Sequence, residues 1–171
     1  MGWKIIGKSK FPDKCIIISA PHTSNWDFFI ARCYGYIVGL SVNYLAKKEL
    51  FKPIIGSILK INGAIPVDRS SVNNLVDNIV LEFKNNNQFI LGLSPEGTRS
   101  RVNKWKTGFY YIALKSEIPI LFLKIDYKSK EIGVFNDFYP TGNFEQDMMF
   151  IQKEFNSFVG KHPANYNPII F

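Results

Sequence analysis

Short apolar runs recur along the chain, and between them lie segments in which apolar residues repeat at helical spacing. Six runs have the length of a strand: Cys15–Ser19, Val42–Ala46, Ala64–Val67, Gln88–Leu93, Ile120–Ile125 and Glu131–Phe135. Isoleucine and valine dominate several of these runs, which is typical of strands buried on both faces of a sheet. The pattern therefore predicts a sheet that is covered on both sides.

Three of the intervening segments have apolar positions on one face of a helix. The stripes are Val72, Leu75, Val76, Ile79, Val80 and Phe83; then Trp105, Phe109, Ile112 and Ala113; then Met148, Ile151, Phe155 and Phe158. Strands that alternate with helices predict the α/β class, with a mainly parallel central sheet flanked by helices. Since domains average ~150 residues, a single domain over residues 1–171 accounts for the length.

Ligands of such sheets bind at the carboxyl ends of the strands, so the residues after each run are the candidates for chemistry. Ala20-Pro21-His22-Thr23-Ser24-Asn25-Trp26-Asp27 follows the first run directly. On a regular helix His22 and Asp27 would not share a face, because five residues turn ~140° beyond a full turn. The spacing suits a loop that folds back, with Ser24 or Asn25 capping a helix that begins there. Asp27 would then bind one ring nitrogen of His22 and leave the other as a base. A plain capping loop with a surface histidine explains the same pattern.

The segment Ser94-Pro95-Glu96-Gly97-Thr98-Arg99-Ser100-Arg101 follows the fourth run in the same way. Gly97 lets a ligand approach the backbone, and Thr98 offers a hydroxyl. The guanidinium of Arg99 matches a phosphate or a carboxylate. The segment is compatible with an anion site and equally with an exposed turn rich in glycine and proline.

Two more segments follow predicted strands. Asp68 and Arg69 close the third run, where a strand-end ion pair is the simplest interpretation. Lys47 follows the second run, and the residues after it predict a short helix. Its apolar positions are Phe51, Ile54, Ile55, Ile58 and Leu59. Flanking lysines make this helix suitable for a membrane surface, but an ordinary core helix has the same stripe.

The charge narrows the classes of partner. Lys and Arg number 21 against 14 Asp and Glu, a net charge of +7. Such a field attracts anionic lipid headgroups, phosphorylated substrates, an acidic carrier protein or nucleic acid. The basic residues are scattered, without a Lys/Arg run of five or more, so we expect no nucleic-acid binding.

The apolar stretches also bear on whether the protein is secreted, spans a membrane or is cytosolic. Residues 1–8 lack the core of a signal peptide, and the longest apolar candidate, residues 33–46, is too short to span a bilayer. Cys15 and Cys33 both lie in apolar stretches, where we expect buried, reduced thiols of the kind found in cytosolic proteins.

Taken together, the segments after the strands resemble the four blocks of the glycerolipid acyltransferases, the family of 1-acylglycerol-3-phosphate acyltransferases. The blocks are His22-x4-Asp27, Gly63-Ala64-Ile65-Pro66-Val67-Asp68-Arg69, Pro95-Glu96-Gly97-Thr98-Arg99-Ser100 and Ile118-Pro119-Ile120. Each block alone is a weak signal, whereas four in order over about residues 20–120 are specific. Lys47-Lys48-Glu49-Leu50 resembles a further segment of the family.

The resemblance implies a glycerol-3-phosphate acyltransferase-like fold and the transfer of a fatty acyl group from a thioester to a lysophospholipid hydroxyl. The donor would be acyl-CoA or acyl carrier protein, and the first candidate acceptor is 1-acylglycerol-3-phosphate. His22 would be the general base and Asp27 its orienter. The residues carried over to the substrate phosphate are Arg69, Glu96, Gly97, Thr98, Arg99 and Lys47. The reaction requires no metal and no cofactor beyond the thioester co-substrate.

Many members of the family begin with apolar helices that hold them on the bilayer, and this chain reaches His22 after only 21 residues. We therefore expect a domain without N-terminal membrane helices, cytoplasmic and peripherally associated with the inner face of an anionic membrane. Four residues are expected to face acyl chains or the membrane: Phe51, Ile54, Ile55 and Ile58.

Trp26 before Asp27 and the sequence Ile-Pro-Val in the second block indicate a sub-branch, so the acceptor stays open. Glycerol-3-phosphate and a lyso-ornithine lipid are alternatives within the same reaction class. A non-catalytic phospholipid-binding module is an alternative from another class, although a pure binder has no need of His22 and Asp27.

Overall fold

A computed structural model describes residues 2–67 and 75–169 of the chain. Seven strands form one sheet: β1 (Lys4–Ile5), β2 (Lys14–Ser19), β3 (Val42–Lys47), β4 (Ala64–Val67), β5 (Phe89–Leu93), β6 (Ile120–Asp126) and β7 (Glu131–Phe138). Their order across the sheet is β1-β7-β6-β2-β5-β3-β4. The strands from β6 to β4 in this order are mutually parallel, and β7 runs antiparallel to β6. The predicted mainly parallel sheet is confirmed, and the short strand β1 is an addition.

The described helices are α1 (Asn25–Ile37), α2 (Pro53–Ile61), α3 (Leu75–Asn85), α4 (Gly108–Ser116) and α5 (Phe144–Phe155). The three predicted stripes fall largely on α3, α4 and α5. Val72 is outside the described residues, and Phe158 lies beyond the end of α5 but still packs against the core. Trp105 precedes α4 instead of heading it, yet it is buried in the core as expected of an indole in an apolar stripe.

Strand residues alternate between two cores, one on each face of the sheet. Ile16 and Ile18 of β2 point into the larger core, which α3, α4 and α5 cover. Cys15 and Ile17 point into the smaller core, where Tyr34 of α1 packs on the sheet. The helices thus cover both faces and leave the carboxyl ends of the central strands, β2, β5 and β6, as neighbours at one edge.

The helix α2 lies outside both cores. Its buried residue is Gly56, which packs so closely on the backbone of Phe51 that a Cβ there would lie 2.9 Å from it. The side chains of Ile54, Ile55 and Ile58 are 79%, 55% and 61% exposed. The core-helix interpretation of this stripe is therefore wrong, because α2 buries a glycine and turns its isoleucines outward.

The two cysteines differ in their surroundings, and neither forms a disulfide. Cys15 is buried in β2, whereas Cys33 is exposed on α1. The expectation of two buried thiols is thus correct for Cys15 and wrong for Cys33, because the apolar stretch around Cys33 forms an amphipathic helix. Within residues 2–67 and 75–169, the structure contains no helix long and apolar enough to cross a membrane.

Candidate active site

The loop between β2 and α1 brings His22 and Asp27 together. Ser24 caps α1, its side chain accepting a hydrogen bond from the Trp26 N–H, and Asp27 occupies the first turn. The Asp27 carboxylate folds back over the cap, where Oδ2 accepts the backbone N–H groups of Thr23 and Ser24 at 2.8 and 2.9 Å. The Nδ1 atom of His22 lies 3.0 Å from the same oxygen. A capping box therefore holds the carboxylate in a fixed position against the imidazole.

The other oxygen of Asp27 is bound by a tyrosine from a distant turn. The hydroxyl of Tyr127, directly after β6, donates to Oδ1 at 2.5 Å. Asp27 is 2% exposed, and burial alone raises the pKa of a carboxyl. Hydrogen bonds from His22, Tyr127 and the Ser24 backbone outweigh burial and bring the pKa of Asp27 below its usual value. Asp27 is consequently an anion at neutral pH.

Binding at Nδ1 leaves the Nε2 atom of His22 for other chemistry. An ionised carboxylate at Nδ1 favours the tautomer that carries its proton there, so Nε2 presents a lone pair. The side chain of His22 is 23% exposed and lines a cleft in the surface. The arrangement is able to accept a proton from a hydroxyl group bound in that cleft and to stabilise the imidazolium that results.

A second loop, after β5, fixes the backbone of His22. The Oε2 atom of Glu96 accepts the His22 backbone N–H at 2.7 Å and the Ser94 hydroxyl at 3.3 Å. Oε1 is buried and has no hydrogen-bond partner among the described residues. Burial, only partly offset by the hydrogen bond from the His22 backbone, raises the pKa of Glu96 to about 7. Glu96 is thus buried and contacts the backbone of His22.

The residues after Glu96 approach the site from the solvent side. Gly97 has φ +66°, a conformation that strains any larger residue, and the side chain of Lys106 lies 3.0 Å from where a Cβ would be. Arg99 donates from its guanidinium to the side chain of Asn25, the first residue of α1. Gly97 and Lys106 line the same cleft as His22, and Arg99 reaches the start of the helix that carries Asp27.

The cleft has a volume of about 420 Å³ and is lined by α1, by strands of the sheet and by the first turns of α3 and α4. His22 and Asp27 lie at the start of α1, and the cleft follows the helix past Phe28 and Ala31 to Gly35. From Asp27 to Gly35 a helix rises roughly 12 Å. On the sheet side, the lining includes Gly92 of β5 beside Ile17, Val42 and Tyr44. Most of its lining is apolar, so the cleft suits an extended hydrocarbon chain.

The remaining predicted residues lie elsewhere or outside the described chain. Lys47 is exposed at the carboxyl end of β3, at the same edge of the sheet, and is not among the residues lining the cleft. Phe51, Ile54, Ile55 and Ile58 do not line it either. Arg69 lies outside the described residues.

Sequence reasoning missed Tyr127. The available signal was its place two residues after the predicted strand Ile120–Ile125, in the kind of segment where the other candidates were sought. The pairing of β2 with β6, with Ser19 opposite Leu123, brings the ends of these strands together and so joins Tyr127 to the histidine loop.

Known proteins resemble this chain in sequence and in fold. Residues 3–125 match the family model described as Acyltransferase. A 1-acyl-sn-glycerol-3-phosphate acyltransferase from Limnanthes douglasii is 32% identical over 127 residues, which are 69% of this chain. The aligned part is 43% of the plant protein, so the chain spans less than half the length of that relative.

The fold is also similar to a solved structure, that of the 1-acyl-sn-glycerophosphate (LPA) acyltransferase PlsC from Thermotoga maritima. The TM-score is 0.59 at 22% identity, over 88% of this chain and 68% of the other. The family model matches well over half of the chain and includes the His22 loop and the Glu96 loop. The resemblance inferred from the four sequence blocks is confirmed, and the chain belongs to the acyltransferase family.

Proposed function

We propose that the protein transfers a fatty acyl group from an acyl thioester to the hydroxyl of 1-acylglycerol-3-phosphate. The observation that carries the proposal is the contact of His22 Nδ1 with the buried Asp27 carboxylate, at the mouth of an apolar cleft. The imidazole is held and polarised on one side and faces a hydrocarbon-sized space on the other. In a member of the acyltransferase family, this arrangement would provide a general base next to a space for the acyl chain.

In the proposed reaction, Nε2 of His22 takes the proton of the acceptor hydroxyl as its oxygen attacks the thioester carbonyl. The new C–O bond forms and the C–S bond breaks, and the imidazolium returns its proton to the departing thiolate. Asp27 stabilises the imidazolium during this exchange. General base catalysis of this kind contributes roughly 10²- to 10⁴-fold in rate. The products are an ester and a free thiol, on coenzyme A or on acyl carrier protein.

The acyl chain would lie in the cleft along α1. The helix presents Ala31 and Gly35 there, one turn apart, and small side chains let a chain lie close to the helix. Burying each methylene of the chain favours binding by ~0.8 kcal/mol.

The acceptor phosphate would bind beside His22, at the loop after β5. Gly97, Thr98 and Arg99 supply backbone approach, a hydroxyl and a guanidinium. Lys47 and Arg69 remain proposed contributors from the ends of β3 and β4. Glu96 was also expected to contact the phosphate, but a buried carboxylate on the His22 backbone is better placed to hold the base.

Membrane contact would occur through α2. Its exposed isoleucines stand among exposed lysines, including Lys52 and Lys60, as in helices that lie in an anionic interface. The net charge of +7 acts in the same direction. We therefore propose that the protein lies peripherally on the cytoplasmic face of a membrane.

The reaction is tested by mass spectrometry of products from purified protein, a long-chain acyl thioester and lysophosphatidic acid. His22→Ala should abolish the diacyl product, whereas the matched control His162→Ala, in an exposed residue, should retain it. The donor is varied between acyl-CoA and acyl carrier protein, and the acceptor between lysophosphatidic acid, glycerol-3-phosphate and a lyso-ornithine lipid. Product with another acceptor alone would overturn the acceptor assignment. No product with any pair would overturn the enzyme assignment.

The membrane surface is tested by sedimentation with vesicles containing anionic lipid. The double variant Ile54→Glu/Ile58→Glu should lose most of its vesicle binding, because two charges replace exposed apolar side chains. Leu81→Glu is the matched control, since Leu81 is also an exposed residue of a helix, α3. Equal binding by all three proteins would contradict a membrane role for α2.

A further inference from the structure

We propose that Tyr127 is a positioning residue that sets the proton affinity of His22 through Asp27. The inference rests on the proposed function, because it assigns Tyr127 to the same base. It concerns a residue that lies a hundred positions from Asp27 in the sequence and outside the four blocks that resemble the family.

The hydrogen bonds to Asp27 are divided unequally between its two oxygens. Oδ2 accepts from the Thr23 and Ser24 backbones and lies against His22, whereas Oδ1 receives the Tyr127 hydroxyl. Because Asp27 is buried, loss of this hydroxyl would leave Oδ1 without a donor from the described residues. An unpaired carboxylate oxygen in that setting is unfavourable and shifts the charge of the group toward its other partners.

Tyr127 is itself held from two sides. Its backbone N–H donates to the carbonyl of Val159 at 3.0 Å. The ring of Trp3 packs edge-on against its ring, with centroids 5.1 Å apart. The hydroxyl is therefore fixed in place before any substrate binds, as expected of a group that orients another.

The phenol remains a donor at neutral pH. Burial, together with the negative charge of Asp27, raises the pKa of Tyr127 well above its usual value. A permanent hydrogen-bond donor on Oδ1 of Asp27 draws negative charge toward that oxygen and away from Oδ2, which faces Nδ1 of His22. Removing it makes the potential at His22 more negative, so the imidazolium is stabilised relative to the neutral ring.

The other ionisable groups around His22 are few among the described residues. Asp27 and Glu96 interact with it directly, and Arg32 and Lys106 line the same cleft. Tyr127→Phe changes none of these side chains, so a shift in the titration of His22 reports the loss of the hydroxyl.

The experiment measures the titration of the two imidazoles by NMR, together with kcat as a function of pH, in the full chain. The chain has two histidines, so the His22 signal is the one absent from His22→Ala and His162 serves as an internal reference. In Tyr127→Phe the His22 midpoint should rise by about half a pH unit. The acidic limb of the rate profile should move with it, and kcat at pH 7 should fall about tenfold.

Tyr110→Phe is the matched control. The Tyr110 hydroxyl also donates to a buried aspartate, Asp147, at 2.8 Å, on the other face of the sheet. This variant should lose thermal stability but keep the His22 midpoint and the rate profile. A second variant, Trp3→Ala, removes the ring that packs on Tyr127 and should shift the midpoint in the same direction by less.

A His22 midpoint and an acidic limb unchanged in both Tyr127→Phe and Trp3→Ala would overturn the inference and leave Tyr127 a structural residue. If the wild type forms no product with any acceptor, the proposed function fails, and the titration, which needs no substrate, still decides the link from Tyr127 to His22.

Discussion

Two helices of this protein, on opposite faces of the sheet, carry a buried aspartate in the first turn. Asp27 of α1 is 2% exposed and Asp147 of α5 is 4% exposed. Each accepts a hydrogen bond from a tyrosine, Tyr127 in the first case and Tyr110 in the second. Each also accepts a backbone N–H from the preceding loop. Locally the two carboxylates are built in the same way.

The difference lies in the remaining partner. Asp147 binds the Thr141 hydroxyl, which joins the preceding loop to the helix at the edge of the larger core. Asp27 binds His22, whose ring lines the cleft. A buried tyrosine–aspartate pair is thus a structural device in one place and part of a proposed proton-transfer site in the other. What separates them is a titratable partner facing a ligand-sized space.

The largest expected contrast is between Asp27→Asn and Asp147→Asn. Asp27→Asn should lower kcat by about 10²- to 10⁴-fold, since a neutral amide neither fixes the tautomer of His22 nor stabilises its imidazolium. Asp147→Asn should leave kcat within twofold of the wild type, because Asp147 lies outside the cleft, and lower only the unfolding temperature. Steady-state kinetics and circular dichroism melts distinguish the two effects. Equal rate losses in both variants would abolish the comparison.

The next contrast concerns pH, because the Asp27 site has a second buried carboxylate nearby, Glu96. Its folded pKa of about 7 exceeds the ordinary 4.5, so the folded state holds the proton more tightly than the unfolded chain. Stability should therefore fall as pH rises from 4.5 to 7, by on the order of 3 kcal/mol. Glu96→Gln should flatten this slope. Urea unfolding across the window measures it, and identical slopes in both proteins would exclude Glu96 as the cause.

Tyr110→Phe should lower the free energy of unfolding by ~1.5–3 kcal/mol, the usual contribution of a hydrogen bond to a charged group. Its turnover should be unchanged, whereas Tyr127→Phe should lose both stability and rate. Chemical denaturation alongside the product assay tests the pair. Unfolding free energy in Tyr110→Phe equal to that of the wild type would show that the Asp147 network is not structural.

The smallest expected effects are at the helix caps. Ser24→Ala and Asn143→Ala each remove a side chain that accepts a backbone N–H of its helix, and each should lower stability by ~1 kcal/mol. Only Ser24→Ala should also reduce kcat, since the capping box of α1 positions Asp27. A rate loss in Asn143→Ala as large as in Ser24→Ala would argue against that coupling.

The sequence predicted the elements better than the contacts between them. The run Ala64–Val67 became β4 with the same bounds, because an unbroken apolar run between polar residues has few other solutions. The His22 contact was also predictable, since it is closed within one loop. Tyr127 was not, because its bond to Asp27 depends on β2 and β6 being neighbours in the sheet.

The pattern of apolar residues also did not determine which side chains are buried. The stripe on α2, taken alone, favoured a core helix over a membrane surface. The packing of Gly56 on the Phe51 backbone shows that the isoleucines turn outward instead. Cys33 was misjudged for a similar reason, since its apolar neighbours belong to different faces of α1.

The exposed thiol of Cys33 makes the natural sequence ready for fluorescence labelling. Burial raises the pKa of Cys15 to about 12 and shields its thiol from reagents. A maleimide dye at neutral pH should therefore react with Cys33 alone. The dye would sit roughly 9 Å along α1 from Asp27. Its emission would then follow the arrival of a thioester or a vesicle without any substitution in the protein.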